Sequence, residues 1–148
     1  MLDRVLDACA NATSIRRTLL VTPDPGLARD SVDVLVDEGT GHAAAVKLAL
    51  TDQRARNGAL VVMADCPRIT SDSLDALVEA ARPLALAPAH DGGVNAVALR
   101  NPSAFRPTFG TPADEMAAAA RSVGLEPVVV ADERLSLDVD RPEDLAFA

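Results

Sequence analysis

Apolar residues in this chain switch back and forth between two spacings, and that alternation restricts the fold more than any other feature of the sequence. Leu2, Val5, Leu6 and Cys9 recur at helical spacing, after which Thr18 to Thr22 form a short β-type run ended by Pro23 and Pro25. Val32 to Val36 alternate polar and apolar as a second strand would, and Ala43 to Leu50 return to a helical pattern. The sharpest strand signal is Ala59 to Met63, which runs straight into Ala64-Asp65-Cys66-Pro67. Thr70 then suits the N-cap of a helix carrying Leu74, Leu77 and Val78. Beyond it the pattern predicts a strand from Leu84 to Ala87, a turn at Asp91-Gly92-Gly93 and a strand from Ala96 to Leu99. A helix from Pro112 to Val123 and a strand from Pro127 to Val130 follow. Strands that alternate with helices imply βαβ units, hence an α/β domain with a mostly parallel sheet. No repeat, linker or low-complexity tract divides residues 1–148, so a single domain is expected.

At 148 residues the chain buries enough surface, roughly 70% of what the unfolded chain exposes, for one core to need no staples. Cys9 and Cys66 match no zinc or haem spacing, which points to a reducing, cytoplasmic setting. Asp3, Arg4 and Asp7 interrupt any signal-peptide pattern, and no apolar run approaches a membrane span. A net charge of -8 argues against nucleic-acid binding, which relies on Lys and Arg to neutralise phosphates. A small anion is still an acceptable ligand wherever a metal or backbone amides offset the acidic field. Lys47 is the only lysine and there is no Trp or Tyr, so neither a fixed catalytic lysine loop nor a base-stacking platform is expected.

Ligands of open α/β sheets bind beyond the carboxyl ends of the strands. Four groups fall there: Thr22-Pro23-Asp24, Asp65, Asp91-Gly92-Gly93 and Asp138-Val139-Asp140. A carboxylate at Asp65 can hold Mg2+ over the crevice, or it can cap an Asx-turn before Pro67. Asp138 and Asp140 flank one residue of an extended segment and so share a face. Asp140 also reads as the N-cap of a last helix beginning Arg141-Pro142, which makes Asp138 the stronger ligand candidate. Gly39-Thr40-Gly41 and Gly92-Gly93 can each bring amides to an anion or simply turn the chain. Gly110-Thr111-Pro112 opens a helix and is the better anion site, although Asp114 and Glu115 occupy the same first turn. His42 reads as a helix-start surface residue and His90 as a loop residue, neither with a proton-transfer role.

The segments VVMADCPRIT, LAPAHDGGVNAVAL, Phe105 to Gly110 and LSLDVDRPEDL, in that order, resemble the 2-phospho-L-lactate or phosphoenolpyruvate guanylyltransferases of coenzyme F420 biosynthesis. The resemblance implies a Rossmann-like, three-layer GT-A or MobA-like nucleotidyltransferase fold and transfer of GMP from GTP to the phosphate of the acceptor, with release of pyrophosphate. It implies that Asp65, Asp138 and Asp140 bind Mg2+, or Mn2+ in its place, with Asp65 and Asp138 central to catalysis. Gly93, Val94, Gly110 and Ala113 correspond to the acceptor-phosphate pocket, and Gly41, His42 and Ala43 to the nucleotide side. The expected partners are GTP and a small phosphorylated carboxylate, with no nucleic acid and no membrane, and with copies pairing through an exposed sheet edge. Members of that family begin with a strand and a Lys- and Arg-bearing triphosphate loop, whereas this sequence starts at the helix that follows them. The expectation is therefore an N-terminally shortened version with little turnover of its own, and His42 stands where the family commonly has Asn. The alternatives are a noncatalytic or partner-dependent subunit and another GT-A-type nucleotidyltransferase or glycosyltransferase.

Overall fold

In the computed structural model, which describes residues 1–139, buried apolar residues fix where the helices sit. Helix α1 (Leu2–Asn11) buries Val5, Leu6, Ala8 and Cys9, a spacing of three and four residues that puts them on one face. It leads to β1 (Thr18–Thr22), β2 (Val32–Val36) and α2 (His42–Thr51), which buries Val46. Strand β3 (Ala59–Val62) is followed by α3 (Ser71–Ala80). The expected cap is present there: Thr70 Oγ1 accepts from the Ser73 N–H at 3.2 Å, and the Thr70 N–H donates to Ser73 Oγ at 3.1 Å. This reciprocal box satisfies two donors that the first turn leaves over. Then come β4 (Leu84–Pro88), β5 (Val94–Leu99), α4 (Ala113–Ser122), β6 (Pro127–Val129) and a single turn, α5 (Glu133–Ser136). Pro112 precedes α4 as its N-cap rather than starting it. Asp132 caps α5 by accepting the Arg134 N–H at 2.7 Å, a turn the sequence pattern does not reveal.

The sheet is not mostly parallel. β1 and β2 pair in parallel as a two-stranded sheet, and the larger sheet has the order β3-β5-β4-β6. Within it β4 and β6 are parallel, but β5 runs antiparallel to both β3 and β4. The reason is the length of the β4–β5 connection: a tight turn with Gly92 at φ +95° can join only antiparallel neighbours, because a parallel return needs a long crossover. The sequence shows the turn, and its consequence for direction outweighs the general expectation for alternating elements.

Two clusters pack on opposite faces of the larger sheet. On one face Ala85, Ala87, Ala96 and Ala98 meet Val5 and Cys9 of α1, Leu74 and Leu77 of α3, and Leu135 of α5. On the other, Leu84, Leu86, Val97 and Leu99 meet Val46 of α2 and Met116, Ala117 and Ala120 of α4, with Phe105 and Phe109 beside them. The strands thus present small residues to one helical layer and large ones to the other, giving the expected three-layer arrangement. Leu60 and Val62 of β3 lie against the first cluster and Val61 against the second, consistent with period-two alternation. No helix among the described residues is long and apolar enough to cross a membrane.

Candidate active site

Strand β3 delivers Asp65. Its last ladder contact extends past the strand, where the Met63 N–H donates to the Asn95 carbonyl at 2.9 Å, and the chain then turns through Ala64 to the half-buried Asp65. The other acid arrives from the far end of the sequence. After α5 the backbone becomes extended at Leu137 (φ -89°, ψ 121°), and the Val139 N–H donates to the Asp65 carbonyl at 3.2 Å. This bond lays the Asp138 segment beside Asp65 at the carboxyl end of β3. Asp138 is only 9% exposed.

The electrostatics of the corner agree with that placement. Cys66, fully buried behind Asp65, has its thiol pushed up to about 12 by burial first and by the charges of Asp65 and Asp138 second. Oδ1 of Asp138 is buried and accepts no hydrogen bond among the described residues. His90 Nδ1 lies 3.3 Å from it, but without the alignment of a hydrogen bond. Burying a carboxylate oxygen without a donor is costly, so a cation is the natural complement to this position.

Asp140, the third expected acid, lies outside the described residues. Among those described, no cluster of three or more His, Cys, Asp or Glu side chains is arranged around a single point. The described chain therefore brings together two of the three predicted acids.

The expected acceptor-phosphate residues also converge, though not as free donors. The Ala113 N–H at the start of α4 donates to the Gly92 carbonyl at 2.9 Å, which ties the β4–β5 turn to that helix. The Gly93 N–H donates to Asp91 Oδ1 at 2.9 Å, an Asx-turn within the loop. Both amides are thus engaged in hydrogen bonds within the chain. Val94 is buried in β5, and Gly110 sits at φ +88° with open space beyond its Cα, in a conformation that L side chains rarely adopt.

Gly41, His42 and Ala43 open α2, where the first-turn amides have no intrahelical acceptor. They are exposed, and they lie at the carboxyl end of the smaller sheet, where Asp37 N–H donates to the Thr22 carbonyl at 3.2 Å and Gly39 packs near Pro23. Sequence reasoning gave Asn95 no role. The usable signal was Asn95 itself, the one polar residue inside an otherwise apolar strand, since a buried amide has to find partners.

Comparison with known proteins assigns this architecture. The chain matches the MobA-like NTP transferase domain over residues 1–137 and belongs to that family of nucleotidyltransferases. Solved structures agree on the fold: 4-diphosphocytidyl-2C-methyl-D-erythritol synthase superposes with a TM-score of 0.75 at 17% identity, covering 99% of this chain and 87% of that one. Rv0371C of Mycobacterium tuberculosis H37Rv, crystallised in complex with manganese, superposes with a TM-score of 0.64 at 19% identity over 99% of this chain and 84% of that one. Sequence relatives are more specific. Phosphoenolpyruvate guanylyltransferase of Sphaerobacter thermophilus is 41% identical, covering 98% of this chain and 75% of its own length. 2-Phospho-L-lactate guanylyltransferase of Haloarcula marismortui is 33% identical over 99% of this chain and 69% of its own. Within the MobA-like proteins, the chain belongs to the phosphoenolpyruvate and 2-phospho-L-lactate guanylyltransferases.

Proposed function

We propose that the protein transfers GMP from GTP to the phosphate of phosphoenolpyruvate or 2-phospho-L-lactate, with release of pyrophosphate, as a step towards coenzyme F420. The observation that carries the reading is the buried Oδ1 of Asp138, without a hydrogen-bond donor among the described residues, on a segment bonded to Asp65. A phosphate oxygen of the acceptor attacks the α-phosphorus of GTP. The bond from that phosphorus to the bridging oxygen of the β-phosphate breaks, and its electron pair leaves with pyrophosphate. Both reactants are anions on an acidic chain, so their approach needs opposing charge. Mg2+ or Mn2+ held by Asp65 and Asp138, with Asp140 as the third ligand, would supply it by polarising the reacting phosphates. The chain itself would contribute alignment: the Val139 to Asp65 backbone bond holds the segments that carry the two acids beside each other, and the open space at Gly110 would admit the acceptor phosphate. First-turn amides at His42 and Ala43 face the nucleotide in this assignment, where the helix dipole favours an anion. Pairing of copies along a strand edge of β1 or β3 that bonds to no other strand among the described residues belongs to the same proposal.

Phosphorus NMR with GTP, Mg2+ and either acceptor tests the reading. The expected result is pyrophosphate formation with one of the two acceptors, lost in Asp138→Asn. Pyrophosphate released equally well by Asp138→Asn would refute the assignment of the site.

A further inference from the structure

Asn95 is 2% exposed in a strand whose other members are all apolar. Its side chain does not serve the sheet. Nδ2 donates to the Leu135 carbonyl at 2.9 Å and, less closely, to the Ser136 carbonyl at 3.3 Å. The same Ser136 carbonyl accepts the His90 N–H at 2.8 Å. These bonds hold the exit of α5, a single turn of four residues that is too short to persist on its own propensity. The backbone of Asn95 faces the other way, its carbonyl accepting the Met63 N–H at 2.9 Å. Met63 stands two residues before Asp65, and Ser136 stands two residues before Asp138. One residue is therefore bonded to both stretches of chain that lead into the two carboxylates.

We infer that Asn95 is a positioning residue that sets the separation of Asp65 and Asp138 and, through it, the affinity for a divalent cation. The inference rests on the metal reading of those two acids given above. An amide is the side chain the position requires. Asp would set a carboxylate against two carbonyl oxygens, Leu would fill the space but take the side-chain donor from the Leu135 carbonyl and leave Ser136 only the His90 N–H, and Ser would donate but fall short of them. Residues that orient a ligand from behind in this way typically change metal affinity by about 10- to 100-fold when replaced.

The test uses Mn2+ titration followed by electron paramagnetic resonance, with hydrogen exchange on the same samples. Wild type should bind Mn2+ and Asp138→Asn should not. Asn95→Leu should bind it about 10- to 100-fold more weakly, with faster exchange at the Val139 amide and unchanged protection of the β4–β5 amides. A purely structural role would instead lower protection throughout the sheet or leave affinity untouched. Where Asn95→Leu does not fold, Asn95→Ser is read in the same way. Wild-type affinity in the Asn95 variants, with Asp138→Asn still defective, overturns the inference alone. Equal Mn2+ binding by wild type and Asp138→Asn removes the metal reading and the inference with it.

Discussion

The unequal faces of the larger sheet make a sharp prediction about where core volume is allowed to sit. Leu86 and Ala85 are neighbours on β4, both 0% exposed, one pointing to the large-residue cluster and the other to the alanine face. Leu86→Ala removes three carbons beside Val97 and Met116 and should cost about 2–5 kcal/mol, the transfer and cavity terms together. Ala85→Leu adds the same three carbons where Ala98 is its cross-strand partner and Leu74 and Leu77 of α3 close the layer, at a cost of about 1–3 kcal/mol from overpacking. The double variant restores the total volume but not its placement. Its cost should be close to the sum, about 3–8 kcal/mol, against a total stability that for such domains is about 5–15 kcal/mol. Urea denaturation measures this, followed by far-ultraviolet circular dichroism because the chain has no Trp or Tyr. With a slope of about 1–3 kcal/mol per molar urea, Ala85→Leu should lower the midpoint by roughly 0.3–3 M and Leu86→Ala by roughly 0.7–5 M. A double variant within about 1 kcal/mol of wild type would show that the core tolerates volume on either side of the sheet, and the two-faced account would fall.

Thr70→Ala should lower stability by about 0.5–2 kcal/mol in the same assay, since it removes one half of the reciprocal cap on α3; no change would mean that the box is ornamental. Folding raises the Cys66 thiol from 9.0 to about 12, so the protein keeps this contribution in full below pH 9 and loses it as the pH climbs from there towards 12, where only the unfolded chain forms thiolate. Urea midpoints of wild type and Cys66→Ala should therefore diverge between pH 8 and pH 10, with the wild type falling more steeply; parallel slopes would contradict the burial assigned to that thiol. Phosphoenolpyruvate should raise the melting temperature in Mg2+ and not in EDTA, by mass action on the native state. If GTP stabilises strongly and phosphoenolpyruvate has no effect with metal present, the acceptor and nucleotide regions are assigned the wrong way round.

The α/β alternation was readable because each long element repeats its spacing at least once. Leu2, Val5, Leu6 and Cys9 define α1 without help from tertiary contacts, and Leu60 to Val62 do the same for β3. α5 was not readable, because one turn completes no helical period and its position depends on Leu135 and on bonds from Asn95, some forty residues earlier. The direction of β5 was implicit in the Asp91-Gly92-Gly93 turn, yet a general rule about alternating elements obscured it. Asp65 drew notice from its place after an apolar run and Asp138 from its two-residue spacing to Asp140, and the backbone lays their two segments side by side. The hydrogen bonds of the β4–β5 turn were not legible, since an Asp two residues before Gly93 takes that amide for its own turn and the Gly92 carbonyl takes the amide of Ala113. Such local competition leaves no trace in spacing.

The backbone bond from Val139 to Asp65 ties together positions separated by about half the sequence, and this gives the proposed cation site a schedule during synthesis. A chain emerging from the ribosome presents Asp65 early, with the strand that carries it, but the carboxylate opposite does not exist in position until α5 has been made and docked. Domains generally fold as units during synthesis, amino-terminal portions first. Partly made chains would therefore present Asp65 before Asp138 is in place, with only part of the proposed ligand set for a divalent ion. The metal would be taken up only as the Asp138 segment closes on Asp65, so loading would report that two distant stretches of chain have come together.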